Sequence, residues 1–363
     1  MVSCLSPNGS TTYSGSNLPD RLVVATLEGV VTAERAERGF RVIERSLPEL
    51  HISSLCFEPT RQAIFAASYA GTIHVSHDGG ESWQLVDTSF REQNVYTIAS
   101  RTTREGVVTL YVGTEPVALY SSADYGQSWT ELPAIREMPN REKWTFPGPP
   151  HEAHLKNMVF DDADAGVIYA SIEQGGLFKT TDGALSWSEL EGIEQADDDW
   201  YRDVHRILVH PGDPRTMFIT GGDGVSRSDD AGATWKRVLS TTYAIGYPDG
   251  LVVNPLDPNL MFVSGAKHQP GTWRDSHSAD AHIARSTDGG ASWSIVSTGL
   301  PDPLRGNIEA LSLSVSPAGS ELFAGTTDGD VYASTNNGDA FTLLLEGLGP
   351  ISKGGHYRAL TTR

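Results

Sequence analysis

Residues 286–293 read Ser286-Thr287-Asp288-Gly289-Gly290-Ala291-Ser292-Trp293, and the fold follows from how these eight residues must behave. An aspartate three residues into a turn can accept backbone N–H bonds across it. A glycine two residues later supplies a positive φ without steric cost. The tryptophan then opens the next strand and fills an apolar slot. Five further segments repeat the pattern: Ser76–Trp83, Ser122–Trp129, Thr180–Trp187, Ser228–Trp235 and Ser334–Phe341. Alternating strands such as GTIHVS, GLFKTT and GDVYAS precede the boxes, and WQLV, WKRV and WSIV follow them. Each box is therefore a hairpin turn between two strands.

The third positions are Asp78, Asp124, Asp182, Asp230, Asp288 and Asn336, at successive spacings of 46, 58, 48, 58 and 48 residues. One four-stranded propeller blade with its loops takes about that length. First strands recur as well, at His51–Pro59, His154–Asp162, Asp203–Pro211, Tyr247–Pro255 and Glu309–Pro317, with a cruder copy at Asn94–Ser100. The C-terminal run from His356 resembles a lone first strand, and Arg21–Ile43 resembles a blade lacking one. Joined, they complete a ring. The expectation is an all-β, seven-bladed propeller with four-stranded blades, residues 21–363, closed by the C-terminal strand on the N-terminal blade. Residues 1–20, rich in Ser, Asn and Gly, are expected to form a flexible arm.

The pattern S/T-x-D-x-G-x-x-W resembles the Asp-box (BNR) repeat of sialidase-like β-propellers. Two copies depart from it: Ala184 replaces the glycine in the third, and Asn336 and Phe341 stand in the last. The resemblance implies that Asp78, Asp124, Asp182, Asp230 and Asp288 are structural. It also implies that binding uses the opposite face, at the mouth of the central channel. Sialidase activity itself is not expected, because the Arg-Ile-Pro segment of that family is absent, and Arg227 and Arg285 merely precede boxes. Xyloglucan-cleaving Asp-box glycosidases use two aspartates across a long cleft, usually between two propellers.

The formal charge is −19, from 27 Lys+Arg against 46 Asp+Glu, which disfavours nucleic acid and anionic membranes as partners. Cys4 and Cys56 make neither a disulfide framework nor a cysteine zinc site. The first residues lack a basic stretch followed by an apolar core, so a cytoplasmic location is expected.

The first-strand starts carry polar residues where neutral packing would suffice: His51, Asn94, His154, Asp203, Tyr247, Glu309 and, in the closing strand, His356. Glu152, His205, Arg202 and Arg358 lie beside them. His154, His205, Asp203, Glu309 and Glu152 are candidate acid–base residues, with Arg202, Arg358 and Tyr247 as substrate contacts. A single divalent metal is the one cofactor the pattern admits, held by His51, His154 and His356. Trp144, Trp200 and Trp273 fall one in each of three long loops, 133–152, 192–202 and 267–282, and are candidate pocket walls. The leading expectation is a hydrolase or lyase acting on a small polar molecule. The alternatives are a non-catalytic protein-binding propeller, resembling the photosystem-assembly type, and a glycoside hydrolase with a carboxylate pair.

Overall fold

The computed structural model describes all residues except 10, 89, 93, 162, 194–201, 362 and 363. Seven sheets are arranged as seven blades. In chain order, the second to seventh blades begin with Ile52–Glu58, Asn94–Thr102, His154–Phe160, Arg206–Val209, Tyr247–Asn254 and Ile308–Ser316. Each of these strands pairs antiparallel with the next, so the blades are meanders built from local hairpins.

Second strands such as Ala63–Ser68 are buried along their whole length. A blade's middle is covered on both faces by its neighbours, so the sequence there is continuously apolar rather than alternating. The core is consequently seven wedges, one per blade–blade contact. Each box aromatic enters the wedge ahead of its own blade: Trp187 packs with Leu119 and Phe178, and Phe341 packs with Phe262 and Tyr332. The glycine of the box is required on two counts. Gly290 has φ +81°, and a Cβ there would stand 2.4 Å from the Phe218 ring.

The seven-bladed all-β ring is as expected, but its closing segment differs. The C-terminal stretch Gly355–Thr361 is an α-helix. The inner strand of the first blade is Val2–Leu5, paired parallel with Arg21–Thr26. The C-terminal segment still ties to that blade, because Leu27 N–H donates to Pro350 O at 2.9 Å and Ile351 packs beside Leu5.

Residues 1–20 are accordingly not a free arm. Asn8–Gly9 adds to the second blade and Thr12–Ser14 to the seventh. Pro7, Gly9 and Thr12 also bond to inner strands of the fifth and sixth blades, on the far side of the ring. Arg206, from the fifth blade, donates to Pro7 O at 2.6 Å and Gly9 O at 3.3 Å, and Thr12 Oγ1 donates to Val253 O of the sixth at 3.5 Å. The polar composition that suggested disorder instead supplies hydrogen bonds to the inner strands. Ser6 Oγ accepts from Leu55 N–H at 3.1 Å, and Asn8 Nδ2 donates to Ser53 O at 3.3 Å.

Candidate active site

The site is built where first strands start and second strands end. Antiparallel register places His154 opposite Glu173 and Asn94 opposite Glu115. His154 is fully buried and lies between the two carboxylates, with Nε2 at 2.7 Å from Glu173 Oε2 and Nδ1 at 3.1 Å from Glu115 Oε2. Its ring stacks on Tyr96 with centroids 3.7 Å apart. Lys156 Nζ reaches the same Glu173 oxygen at 2.6 Å. Burial raises the Glu173 carboxyl, but the charges of Lys156 and Lys353 and the bond from His154 outweigh it and hold the group well below the usual carboxylate range. Burial pushes the Lys156 ammonium down to about 8 despite the pull of Glu173. The Glu173–Lys156 pair is therefore ionised at neutral pH.

His205, also fully buried, donates from Nδ1 to Pro248 O at 2.8 Å. Its Nε2 faces Asp203 Oδ2 at 3.3 Å and Glu173 Oε1 at 3.5 Å. On the far side of the floor, Lys353 Nζ meets Asp249 Oδ1 at 2.5 Å and Asn307 donates to Oδ2 at 2.7 Å. Burial lowers the Lys353 pKa, but Asp249 and Glu173 overcome it and raise it well above the ordinary value. His356 Nδ1 lies 2.9 Å from Glu309 Oε1.

A cleft of about 550 Å³ opens over the fourth to sixth blades. Glu173, Asp203, Tyr247 and His356 form its floor, while Phe146, Arg237 and Arg274 stand on its walls. Burial first, then the charges of Asp203 and Glu173, drive the Tyr247 phenol well above its ordinary value, leaving a neutral hydroxyl there. All three long loops border the cleft, through Phe146–Gly148, through Ile193 and Arg202, and through Gln269–Gly271.

The structure brings Asp203, His205, Tyr247 and Arg202 together, with His154 and His205 both approaching Glu173. Of the remaining expected site residues, His356 lines the cleft beside Tyr247, and His51, Glu309, Glu152 and Arg358 do not join them. The metal triad of His51, His154 and His356 does not form. Among the described residues the group with donor atoms close enough for a metal is Glu173, Asp203 and His205, all within 4.8 Å of one another. His51 is instead packed on Tyr69 with centroids 4.3 Å apart and bonded to Ser352 O at 2.9 Å. Burial pushes its pKa down to about 4. Glu309 is consumed by Lys353 N–H, Ser352 and His356, because its strand start lies beneath the C-terminal helix. Glu152 is exposed and precedes the strand, and Arg358 is exposed on the helix beside His51.

The two described loop tryptophans, Trp144 and Trp273, are anchors rather than walls. Trp273 is 1% exposed, sealed by Ala359 and Leu360, and donates Nε1 to His268 O at 2.8 Å. Trp144 packs edge-on to Phe178 at 5.3 Å. Trp200 lies outside the described residues. Sequence reasoning missed Glu173, Glu115 and Lys353. The first two had a signal: each ends the second strand directly opposite a flagged first-strand start. Lys353 lies in an irregular segment and had none.

A model of the BNR/Asp-box repeat matches residues 74–85. The chain is 26% identical over 165 residues to a protein of Acetivibrio thermocellus called xyloglucanase Xgh74A, which covers 41% of this chain and 18% of that protein. The GH74 xyloglucanase structure from Xanthomonas campestris superposes with a TM-score of 0.68 at 16% identity, over 94% of this chain and 55% of that one. YCF48 bound to a D1 peptide superposes with a TM-score of 0.59 at 15% identity, over 92% of this chain and 94% of that one. The chain therefore spans about a fifth of that curated relative and about half of the xyloglucanase structure.

Proposed function

We propose that this chain is a glycoside hydrolase that takes its substrate in the cleft over the fourth to sixth blades. One observation carries the reading: two carboxylates, Glu173 and Asp203, share the floor of the cleft with donor oxygens within 4.8 Å. Paired carboxylates are the usual machinery of glycosidic cleavage, one moving a proton and the other meeting the positive charge of an oxocarbenium-like transition state. Similarity to xyloglucanases over 41% of the chain supports the choice of bond.

Roles follow from the surroundings. Glu173 stays ionised beside Lys156 and supplies the fixed negative charge. Asp203 is the more accessible of the two, with side-chain exposure of 21% against 5%. It is therefore the carboxylate placed to exchange a proton with a substrate or water hydroxyl. Phe146 offers an apolar face to a sugar ring, and Tyr247 and Arg274 offer donors to its hydroxyls. The volume is in the range of ligand sites and admits a few sugar units.

Turnover of a panel of aryl glycosides and xyloglucan oligosaccharides tests the reading. Release of reducing ends from at least one β-glucan is expected, and no turnover across the panel overturns it. A peptide-binding reading is favoured by one fact, that the match spans nearly the whole YCF48 chain. It predicts saturable peptide binding with no glycoside turnover.

A further inference from the structure

We propose that Glu173, Asp203 and His205 bind a divalent transition-metal ion at the floor of the cleft. The first ground is the tautomer of His205. Its Nδ1 must carry the proton, because its partner there is the carbonyl oxygen of Pro248 at 2.8 Å, which can only accept. In the neutral ring Nε2 then presents a lone pair, directed at Asp203 Oδ2 at 3.3 Å and Glu173 Oε1 at 3.5 Å. That nitrogen faces two carboxylates, an arrangement that needs either a proton or a metal cation among the three groups. A histidine that donates its other nitrogen to a backbone carbonyl is the arrangement that fixes an imidazole for metal ligation.

The second ground is independent of the first. Nε2 of His205 makes no hydrogen bond although the residue is 0% exposed, and Asp203 Oδ1 is likewise buried and unpartnered. Buried polar atoms without partners are costly, so a missing ligand is the physical explanation for their persistence. The charge balance agrees. Glu115, Glu173, Asp203, Asp249 and Glu309 meet three fixed cations, Lys156, Lys353 and Arg206, so the carboxylates outnumber them. Lys156 occupies Oε2 of Glu173 and leaves Oε1 for the ion. One imidazole and two carboxylates suit zinc or manganese better than calcium, which prefers oxygen alone. Because Glu173 and Asp203 also line the cleft, the ion would be reachable from it.

The inference goes beyond the glycosidic reading and does not depend on it, since its readout is bound metal. Chelator-stripped protein is titrated calorimetrically with Zn²⁺ and Mn²⁺, and with Co²⁺ while its visible ligand-field bands are recorded. One equivalent is expected to bind. Asp203→Asn and His205→Ala should each weaken binding by at least about tenfold and shift the Co²⁺ bands, with circular dichroism confirming the fold. Asp203 is partly exposed and precedes its strand, so its variant keeps the test informative if His205→Ala does not fold. Absence of stoichiometric binding by all three ions, or unchanged affinity in the folded Asp203→Asn protein, overturns the proposal.

Discussion

At the residue scale, the box aspartates are structural latches whose contribution depends on pH. Asp288 accepts from Ser292 N–H at 2.8 Å, Ser292 Oγ at 2.6 Å and Ser286 Oγ at 2.8 Å. Hydrogen bonds, led by the hydroxyls of Ser128, Ser186, Thr234 and Ser292, hold Asp124, Asp182, Asp230 and Asp288 down at about 2. A carboxyl whose folded pKa lies below its unfolded one stabilises fully above the unfolded value, and the benefit fades as pH falls toward the folded value. Urea midpoints should therefore drop between about pH 4 and pH 2, and Asp288→Asn should flatten that slope. An unchanged slope would remove the latch role. Two glycine-site changes should differ in sign or size. Gly290→Ala combines left-handed strain of roughly 1–2 kcal/mol with a clash on Phe218, so a loss of at least about 2 kcal/mol is expected in chemical unfolding. Ala184 already sits at φ 74°, so Ala184→Gly relieves strain but loses a buried methyl worth about 0.8 kcal/mol, leaving a change below about 1 kcal/mol. The boxes were legible because each residue's role is local: turn, cap and strand start all follow from eight neighbours in sequence.

At the element scale, the N-terminal strand was the least legible part of the fold and is among the most consequential. Val2–Leu5 is too short to show alternation, and the polar residues after it resemble a linker. Their partners are scattered over the ring: Ser3 meets Ser314, and Ser312 Oγ donates to Cys4 O at 2.9 Å. No local pattern can announce contacts more than 300 residues away. Leu5 is fully buried in the wedge between the seventh and first blades, so Leu5→Ala should cost about 2–5 kcal/mol by denaturant titration. Deleting residues 2–14 should abolish cooperative unfolding, since it opens an inner edge and strips the buried Arg206 of its carbonyl partners Pro7 and Gly9. A truncated protein as stable as the whole chain would return this segment to the status of a free arm. Lys353→Met leaves Asp249 buried beside uncompensated charge and should destabilise by roughly 3–5 kcal/mol, unlike surface ion-pair deletions.

At the scale of the whole molecule, circular symmetry gathers residues distant in sequence, and that gathering was legible in outline. Strand-start register brought Asp203, His205, Tyr247 and His154 to one face, as six repeats and one axis require. It could not say which way each side chain turns. His51 and His356 begin or follow comparable strands, yet neighbours absent from the repeat, Tyr69, Ser352 and Lys353, capture them or their carboxylates. The tryptophans misled for a similar reason. Large aromatics that pin a loop and those that line a pocket share the same composition, and only packing separates them. The cleft is therefore decided by loop conformation over a symmetric base, and its carboxylates by a second-strand end, Glu173, and a first-strand start, Asp203.

The most direct test of this account compares three proteins on one xyloglucan oligosaccharide: the native chain, Asp203→Asn at the cleft floor and Asp288→Asn in a box turn. The account predicts that Asp203→Asn lowers kcat by at least about 100-fold with an unchanged unfolding midpoint. It also predicts that Asp288→Asn lowers the midpoint and leaves kcat intact. Turnover by Asp203→Asn equal to that of the native chain would contradict the assignment of the cleft as the active site.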